Sequence, residues 1–263
     1  MDELNQFDLM LEAMTEIIRE EKANQEPLQT QPMPVLPTLS KVLAEISPLP
    51  REALFLGMAN DGLPVLLNLF DPVPGPILIA GDSSSGKTKL LQIIARAVEF
   101  LHSSDAVQYG IITAKPDEWK DLYGSVNNAG VYFSQEENAG ELLQSLVTWA
   151  HRNKGEQQSI LLLIDDLESI AKLDEQVQQN LRWLLLRGPS RRVWPFITLN
   201  ADQVETQKEW LEFFHTRLFG HVDEEKHAQA LTGEQSLDYL NKGTEFAIRE
   251  GDKLLTFWLP SLN

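Results

Sequence analysis

ILIAGDSSSGKTKLLQII, residues 77–94, places four apolar residues in front of a loop of small residues that ends in Gly-Lys-Thr. The loop fits the pattern G-x-x-x-x-G-K-[ST]. A strand before it and an amphipathic helix after it would direct backbone N–H groups and the positive end of a helix dipole to one point. The stretch therefore predicts a phosphate-binding loop between a strand and a helix, with an ordinary glycine-rich turn as the alternative.

Nucleotide chemistry gives the end of this loop two roles. In loops of this kind the lysine, here Lys87, reaches the β- and γ-phosphates, and the hydroxyl of Thr88 binds Mg²⁺. The expected cofactors are ATP and Mg²⁺, and no sequence signature selects adenine. The predicted nucleotide contacts are Gly81, Asp82, Ser83, Ser84, Ser85, Gly86, Lys87 and Thr88.

An acid at the end of a second buried strand completes this chemistry. SILLLIDDLESI, residues 159–170, supplies five apolar residues followed by Asp165, which is expected to hold the magnesium shell; solvation of a strand end is the alternative. Hydrolysis also needs a group that deprotonates water. We favour Asp166 for this role and keep Glu168 as the substitute, and because Asp166 is one methylene shorter than a glutamate we expect slow turnover.

Two further groups of polar residues are candidates for functional roles. Asn200 ends the apolar run PFITLN, where it is expected to sense the γ-phosphate or to cap the next turn. The basic cluster has three interpretations: a solvated helix face, an arginine finger acting across a subunit interface, or a nucleic-acid contact. This cluster consists of Arg182, Arg187, Arg191 and Arg192.

The pattern of apolar runs predicts an α/β fold. PILIA, YGIIT, ILLLI and FITLN alternate with helical stretches at 87–101, 139–153 and 174–186, which indicates a mostly parallel sheet covered by helices on both faces. Before them, a short helix at 39–46 and a hairpin around Asn60-Asp61-Gly62 are expected. Further strands are expected in FHTRLFGHV, EFAIRE and KLLTFWLP, with a helix at 224–231. Residues 38–263 are expected to form one domain.

The N-terminal part differs in composition from this domain. Residues 1–23 have the period of an acidic amphipathic helix, which would pack on its own domain or dock on a neighbouring subunit or partner protein. Residues 24–37 are rich in Pro and Gln and have no apolar period, so they are expected to form a linker.

Composition limits the function classes. With no cysteine, the chain forms neither disulfides nor thiolate metal sites. No apolar run is long enough to span a bilayer and no signal peptide is evident, so a cytoplasmic protein without membrane insertion is expected. The formal charge of -17 confines any nucleic-acid contact to a local basic strip or a pore loop.

Taken in their order along the chain, these segments resemble the FtsK/HerA superfamily of P-loop (RecA-like) ATPases. Within that superfamily they resemble the FtsK-type motor domain most. GDSSSGKT matches the phosphate loop, LLLIDD the magnesium acid and RRVWPFITLNADQ the sensor strand. IITAKPDEWKDLYG is similar to the family's strand-plus-Lys segment, with Lys115 and Tyr123 in corresponding places, and HTRLFGHVDEEKHAQAL to the segment with an interface arginine, here Arg217. The likeness covers roughly residues 52–260. Asp166 stands where the family has its catalytic glutamate, and Asn200 replaces the usual Thr-Gln pair.

The resemblance implies a homo-oligomer, a hexameric or similar ring with nucleotide bound between subunits. Arg217, or one of Arg187, Arg191 and Arg192, would then act on the neighbour's γ-phosphate. The leading interpretation is an ATP-driven motor that translocates or packages double-stranded DNA. The alternatives are a protein-handling (secretion-type) or scaffold ATPase, which recruits a protein through the N-terminal helix, and a slow nucleotide switch.

Overall fold

One mixed sheet runs through the computed structural model, which describes residues 36–153, 158–233, 236–250 and 253–262. The sequence predictions for residues 1–23 and for nearly all of the linker lie outside these residues. Within the described part of the chain the sheet has ten strands in the order β2-β1-β10-β9-β8-β3-β7-β6-β4-β5. The strands are Ala53–Ala59 (β1), Pro64–Asn68 (β2), Ile77–Gly81 (β3), Val107–Thr113 (β4), Asn128–Phe133 (β5), Ser159–Asp165 (β6), Val193–Asn200 (β7), Thr216–Phe219 (β8), Glu245–Glu250 (β9) and Lys253–Trp258 (β10).

Six neighbouring strands, from β5 to β8 across the sheet, are parallel, and the remaining pairs are antiparallel. The central strands β3, β6 and β7 are buried along almost their whole length, as expected for strands covered on both faces. Because their carboxyl ends lie at the same edge, Gly81 is paired with Asn200 and Thr113 with Asp165. This carboxyl edge is where the predicted site residues meet.

Helices cover both faces of the sheet. The helices are Leu39–Ile46 (α1), Lys87–Leu101 (α2), Glu137–Arg152 (α3), Leu167–Ile170 (α4), Glu175–Arg187 (α5), Lys208–Leu211 (α6) and Glu225–Thr232 (α7), with 3-10 turns at Pro116–Leu122, Pro189–Arg191 and Ala201–Gln203. One apolar core contains α1, α2 and the 3-10 turn around Trp119; the other contains the helices from α3 to α7. From Pro37 onward the chain forms one compact unit.

Side-chain caps explain where two of the helices begin. Thr38 accepts a hydrogen bond from the backbone N–H of Lys41 at the start of α1, and Asp174 accepts one from Val177 at the start of α5. The α/β fold predicted from the sequence is confirmed, including the bounds of α1 and α2. Strand β5 was not predicted, and the strand expected in FHTRLFGHV is limited to Thr216–Phe219.

Candidate nucleotide site

The loop between β3 and α2 has a conformation that only glycine allows at one position. Gly86, directly before α2, has φ +92°, and a Cβ there would lie 2.7 Å from Cα of Gly243. A Cβ on Gly81 would lie 2.6 Å from Oγ of Ser85, so the start of the loop is also close-packed. The loop leads directly into the N-terminus of a 15-residue helix, and this geometry favours the binding of anions.

Lys87 is the buried cation of the site. Its side chain is only 6% exposed, and its Nζ donates hydrogen bonds to the backbone oxygens of Gly81 and Asp82 at 2.9 and 2.6 Å. Burial lowers the pKa of Lys87, and nearby acids, Asp165 and Glu168 foremost, oppose that shift. The ammonium group is therefore held close to the loop backbone and to the carboxylates opposite.

Asp165 joins the loop to two neighbouring strands. It ends β6, and its two carboxylate oxygens accept hydrogen bonds from the hydroxyls of Thr88 and Thr198, each at 2.7 Å. Burial raises the pKa of Asp165, while these two hydrogen bonds act in the opposite direction. Sequence reasoning missed Thr198. A polar residue inside the otherwise apolar run PFITLN was the signal for it.

The two acids after Asp165 have different surroundings. The Asp166 carboxylate accepts a hydrogen bond from the Ser169 N–H at 3.0 Å and so caps α4. Glu168 is 8% exposed; its Oε1 accepts a hydrogen bond from the Asn200 N–H at 3.1 Å, and its Oε2 has no partner in the described part of the chain. Burial, followed by the charge of Asp166, raises the pKa of Glu168 to about 7.

A cavity of about 570 Å³ contains the predicted residues of the carboxyl edge. Lys87, Thr88, Asp165, Asp166 and Asn200 all line it. Two adjoining cavities share lining residues with it. One, of about 470 Å³, shares Gln92 and Glu118 with it, and the other, of about 650 Å³, shares Asp166 and Asn200 and also contains Glu168.

The predicted arginines do not belong to this cavity. Arg217 lies in β8, where its guanidinium donates to the backbone oxygens of Leu211, Phe214 and Leu231 at 2.8, 3.1 and 3.4 Å. Burial lowers the pKa of Arg217, and the charge of Arg249 adds to the shift. These contacts tie together the segments on either side of β8.

The basic cluster lies at the opposite end of β7 from Asn200. Arg191 and Arg187 are exposed, and Arg192 places its guanidinium 3.8 Å from the centre of the Phe70 ring. Arg182 lies on α5, paired with Glu209 and 4.7 Å from the Trp210 ring.

The other two residues of the resemblance are surface groups. The Lys115 ammonium lies 3.5 Å from Glu118, and the Tyr123 hydroxyl donates to the Pro116 oxygen at 3.0 Å. Lys115 lines the 570 Å³ cavity.

The donor set at the carboxyl edge fits a magnesium-bound triphosphate. The Thr88 hydroxyl and the Asp165 carboxylate are oxygen ligands, the type that Mg²⁺ prefers, and they already lie in contact. Lys87 supplies a positive charge beside the loop backbone, where an anion would lie.

Comparisons with known proteins give structural relatives only. No protein-family model and no curated protein sequence matches this chain. Similar folds occur in the cytoplasmic domain of the type VII secretion ATPase EccC from Thermomonospora curvata (15% identity, TM-score 0.66, 87% of this chain) and in EssC ATPases 2 and 3 from Geobacillus thermodenitrificans (13%, 0.68, 80%). The chain spans 28% of the EccC chain and 44% of the EssC chain.

A third similar structure is the pCW3 conjugation coupling protein TcpA with ATPγS, at 15% identity and TM-score 0.63, covering 86% of this chain and 69% of TcpA. The domain therefore shares the fold of these proteins, which confirms the fold inferred from the sequence resemblance. Among the described helices, none has the length and apolar character needed to cross a membrane.

Proposed function

We propose that this chain binds Mg²⁺·ATP at the carboxyl edge of its sheet and hydrolyses it. The observation that carries the proposal is the meeting of Thr88, Asp165 and the buried Lys87 beside a loop that requires glycine at residue 86. Lys87 and the loop amides would hold the phosphates, and Thr88 and Asp165 would hold the metal. Bound Mg²⁺ would neutralise charge on the phosphate oxygens.

Within this proposal Glu168 is the better candidate for the group that takes a proton from water. A general base works best when its pKa is near the operating pH, and Glu168 has a pKa of about 7 and one unpaired oxygen within the described residues. Asp166 already caps a helix, and its charge helps to raise the pKa of Glu168. Asn200 lines the cavity and would hold the γ-phosphate end.

The groove next to the phosphate cavity has room for a nucleoside. It continues from the phosphate cavity past Gln92 and Glu118, along α2 as far as Phe100. Gln92 lies four residues beyond Thr88, which on a helix is about 6 Å and within the reach of a sugar attached to a bound triphosphate. This continuity supports a nucleotide, rather than a bare phosphate, as the ligand.

The polymer on which this ATPase would act is double-stranded DNA in our proposal, moved through a ring of identical subunits. Two observations support this assignment: the fold is similar to that of a conjugation coupling protein, and exposed arginines lie at the amino ends of the parallel strands, which we call the amino edge. In a head-to-tail ring, Arg191 or a neighbouring arginine would face the next subunit's nucleotide. Arg217 is the weaker candidate for that role, because its guanidinium is held by three backbone oxygens of its own chain.

A protein-handling ATPase is the second candidate, favoured by the net charge of -17. The EccC structure belongs to this class by name, and another EccC structure contains a signal sequence peptide. An acidic surface repels nucleic acid but suits a basic or apolar peptide.

ATP turnover measured with and without duplex DNA, beside light scattering of the full chain, tests these proposals. Stimulation by DNA that weakens with added salt, together with a ring mass that depends on nucleotide, is the expected result. Turnover that is indifferent to DNA would exclude the DNA motor and leave the protein-handling candidate. Absence of any turnover by a chain that binds ATP would indicate a nucleotide switch.

A further inference from the structure

Two segments distant in sequence contact the phosphate loop on its outer side. From the segment after β8, the backbone oxygen of His221 accepts a hydrogen bond from the Asp82 N–H at 2.9 Å, and the Asp223 N–H donates to the Asp82 carboxylate at 2.8 Å. From the loop before β9, the Gly243 N–H donates to the Ser85 oxygen at 3.2 Å. Both halves of the loop are thus held by backbone groups of other segments.

Three side chains connect these two segments to each other. His221 donates from Nδ1 to the Leu240 oxygen at 2.6 Å, and its Nε2 faces an Asp223 carboxylate oxygen at 2.9 Å. The second carboxylate oxygen of Asp223 accepts from Nζ of Lys242 at 2.7 Å. His221 is 8% exposed, whereas Asp223 and Lys242 are at the surface. We call His221, Asp223 and Lys242 the outer clamp.

The charges of the outer clamp support one another. The two ring nitrogens of His221 face the carbonyl of Leu240 and the carboxylate of Asp223, so the ring lies between the two segments. The Lys242 ammonium, and next to it His221, lowers the pKa of Asp223 to about 2, so Asp223 is ionised throughout the neutral range. Although Asp82, His221 and Asp223 are close enough to share a metal ion, the His221 ring already contacts the Asp223 carboxylate, and the Asp82 carboxylate already accepts from the Asp223 N–H, which favours a hydrogen-bond network.

We infer that the outer clamp positions the phosphate loop and thereby sets the affinity for nucleotide, an inference that rests on the function proposed above. A loop that binds phosphate with backbone N–H groups binds best when those groups are already in place, because ordering them during binding costs conformational entropy. The outer clamp supplies this order from outside the site. His221, Asp223 and Lys242 are therefore positioning residues that touch neither phosphate nor metal.

Asp223→Ala is the decisive variant. It removes the two contacts of the Asp223 side chain, with His221 and with Lys242, but keeps the His221 contact with Leu240 and the backbone N–H that donates to Asp82. Because Asp223 is exposed, we expect the fold to be retained. Glu205→Ala is the matched control, since it breaks the exposed ion pair with Lys208, which is remote from the phosphate loop in sequence. Lys242→Met removes one connection, and Lys242→Arg should restore it.

Two readouts on the full chain separate this inference from the proposed function. In nucleotide-free protein, hydrogen exchange of the amides from Ser83 to Thr88 should be faster in Asp223→Ala than in wild type or Glu205→Ala. The Kd for Mg²⁺·ATP should rise about 5- to 10-fold in Asp223→Ala and about 3-fold in Lys242→Met, with kcat changed by less than about 2-fold.

Unchanged hydrogen exchange in Asp223→Ala overturns the inference. A lower kcat at unchanged Kd also overturns it, as does an equal loss of affinity in Lys242→Met and Lys242→Arg. If wild-type protein takes up no Mg²⁺·ATP, the proposed function fails. The exchange rates then still decide whether the outer clamp orders the loop.

Discussion

The carboxyl edge of the parallel strands holds its charged groups inside the protein, whereas the amino edge of the same strands presents them at the surface. Lys87, Asp165 and Glu168 are largely removed from water, and the pKa of each is shifted toward the neutral form. At the amino edge, Arg191 is exposed and Arg192 lies on the ring of Phe70.

This contrast shows which charges have a structural cost. Burying a charge is unfavourable unless it is paired, so a protein that keeps three such groups together gains something other than stability from them. At the amino edge, the exposed Arg187 and Arg191 cost little. The eight residues of β7 separate them from Asn200 by about 25 Å, so they cannot reach a phosphate bound by their own chain.

Glu168→Gln should have the largest effect on turnover. The amide keeps the acceptor for the Asn200 N–H but cannot take a proton, so ATP turnover should fall about 100- to 1000-fold while Mg²⁺·ATP binding persists. Steady-state turnover and calorimetry measure the two effects.

Asp166→Asn is the matched control, and its turnover should fall by less than about 10-fold. The apparent pKa of the rate should move below 7 in this variant, because the charge that raises the pKa of Glu168 is gone. Equal losses in both variants would return the role of base to Asp166.

Lys87→Ala should weaken Mg²⁺·ATP binding by about 100-fold, since it removes the buried cation that faces the phosphates. Thermal unfolding should change little, because among the described residues the hydrogen bonds of Nζ go to the backbone of its own loop. Lys253→Ala, at an exposed position on β10, is the control. Retention of wild-type affinity in Lys87→Ala would contradict the proposed contacts.

The buried carboxyl of Glu168 should also make stability depend on pH. Its pKa is higher in the folded than in the unfolded chain, so between about pH 4.5 and pH 7 the folded state binds more protons, and the free energy of unfolding should fall as pH rises. Glu168→Gln should therefore be more stable than wild type at pH 8, by about 2 to 3 kcal/mol, and equally stable at pH 4. Urea unfolding at both pH values measures this, and a constant difference between the two proteins would disprove a buried, titrating Glu168.

The smallest effect is expected at the amino edge. Arg191→Ala should leave the affinity of the chain for Mg²⁺·ATP within about 2-fold of wild type, because within the described part of the chain Arg191 does not line the phosphate cavity. Arg191→Ala should instead reduce the stimulation of turnover by duplex DNA or by ring assembly. A lower affinity in dilute, monomeric protein would remove the distinction between the two edges.

Residue type and spacing were enough to predict the phosphate loop, the strand that ends in Asp165 and the helix that begins at Lys87. Each depends on a local pattern, an apolar run followed by a turn signal. Strand β5 was missed because it is a half-buried edge strand that starts in Asn-Ala-Gly, with Gly130 at φ +146°. The burial of Glu168 and the contacts of His221 with Asp223 and Leu240 depend on segments that only the tertiary fold brings together.

The most direct test of the central claim is a calorimetric titration of ATP into the full chain, with Mg²⁺ and with EDTA, for wild type and Asp165→Asn. If Thr88 and Asp165 hold the metal of a bound triphosphate, wild type should take up one ATP per chain with Mg²⁺ and bind it more weakly in EDTA. Asp165→Asn should bind weakly under both conditions. Uptake that is the same with and without Mg²⁺, or undiminished in Asp165→Asn, would contradict the account.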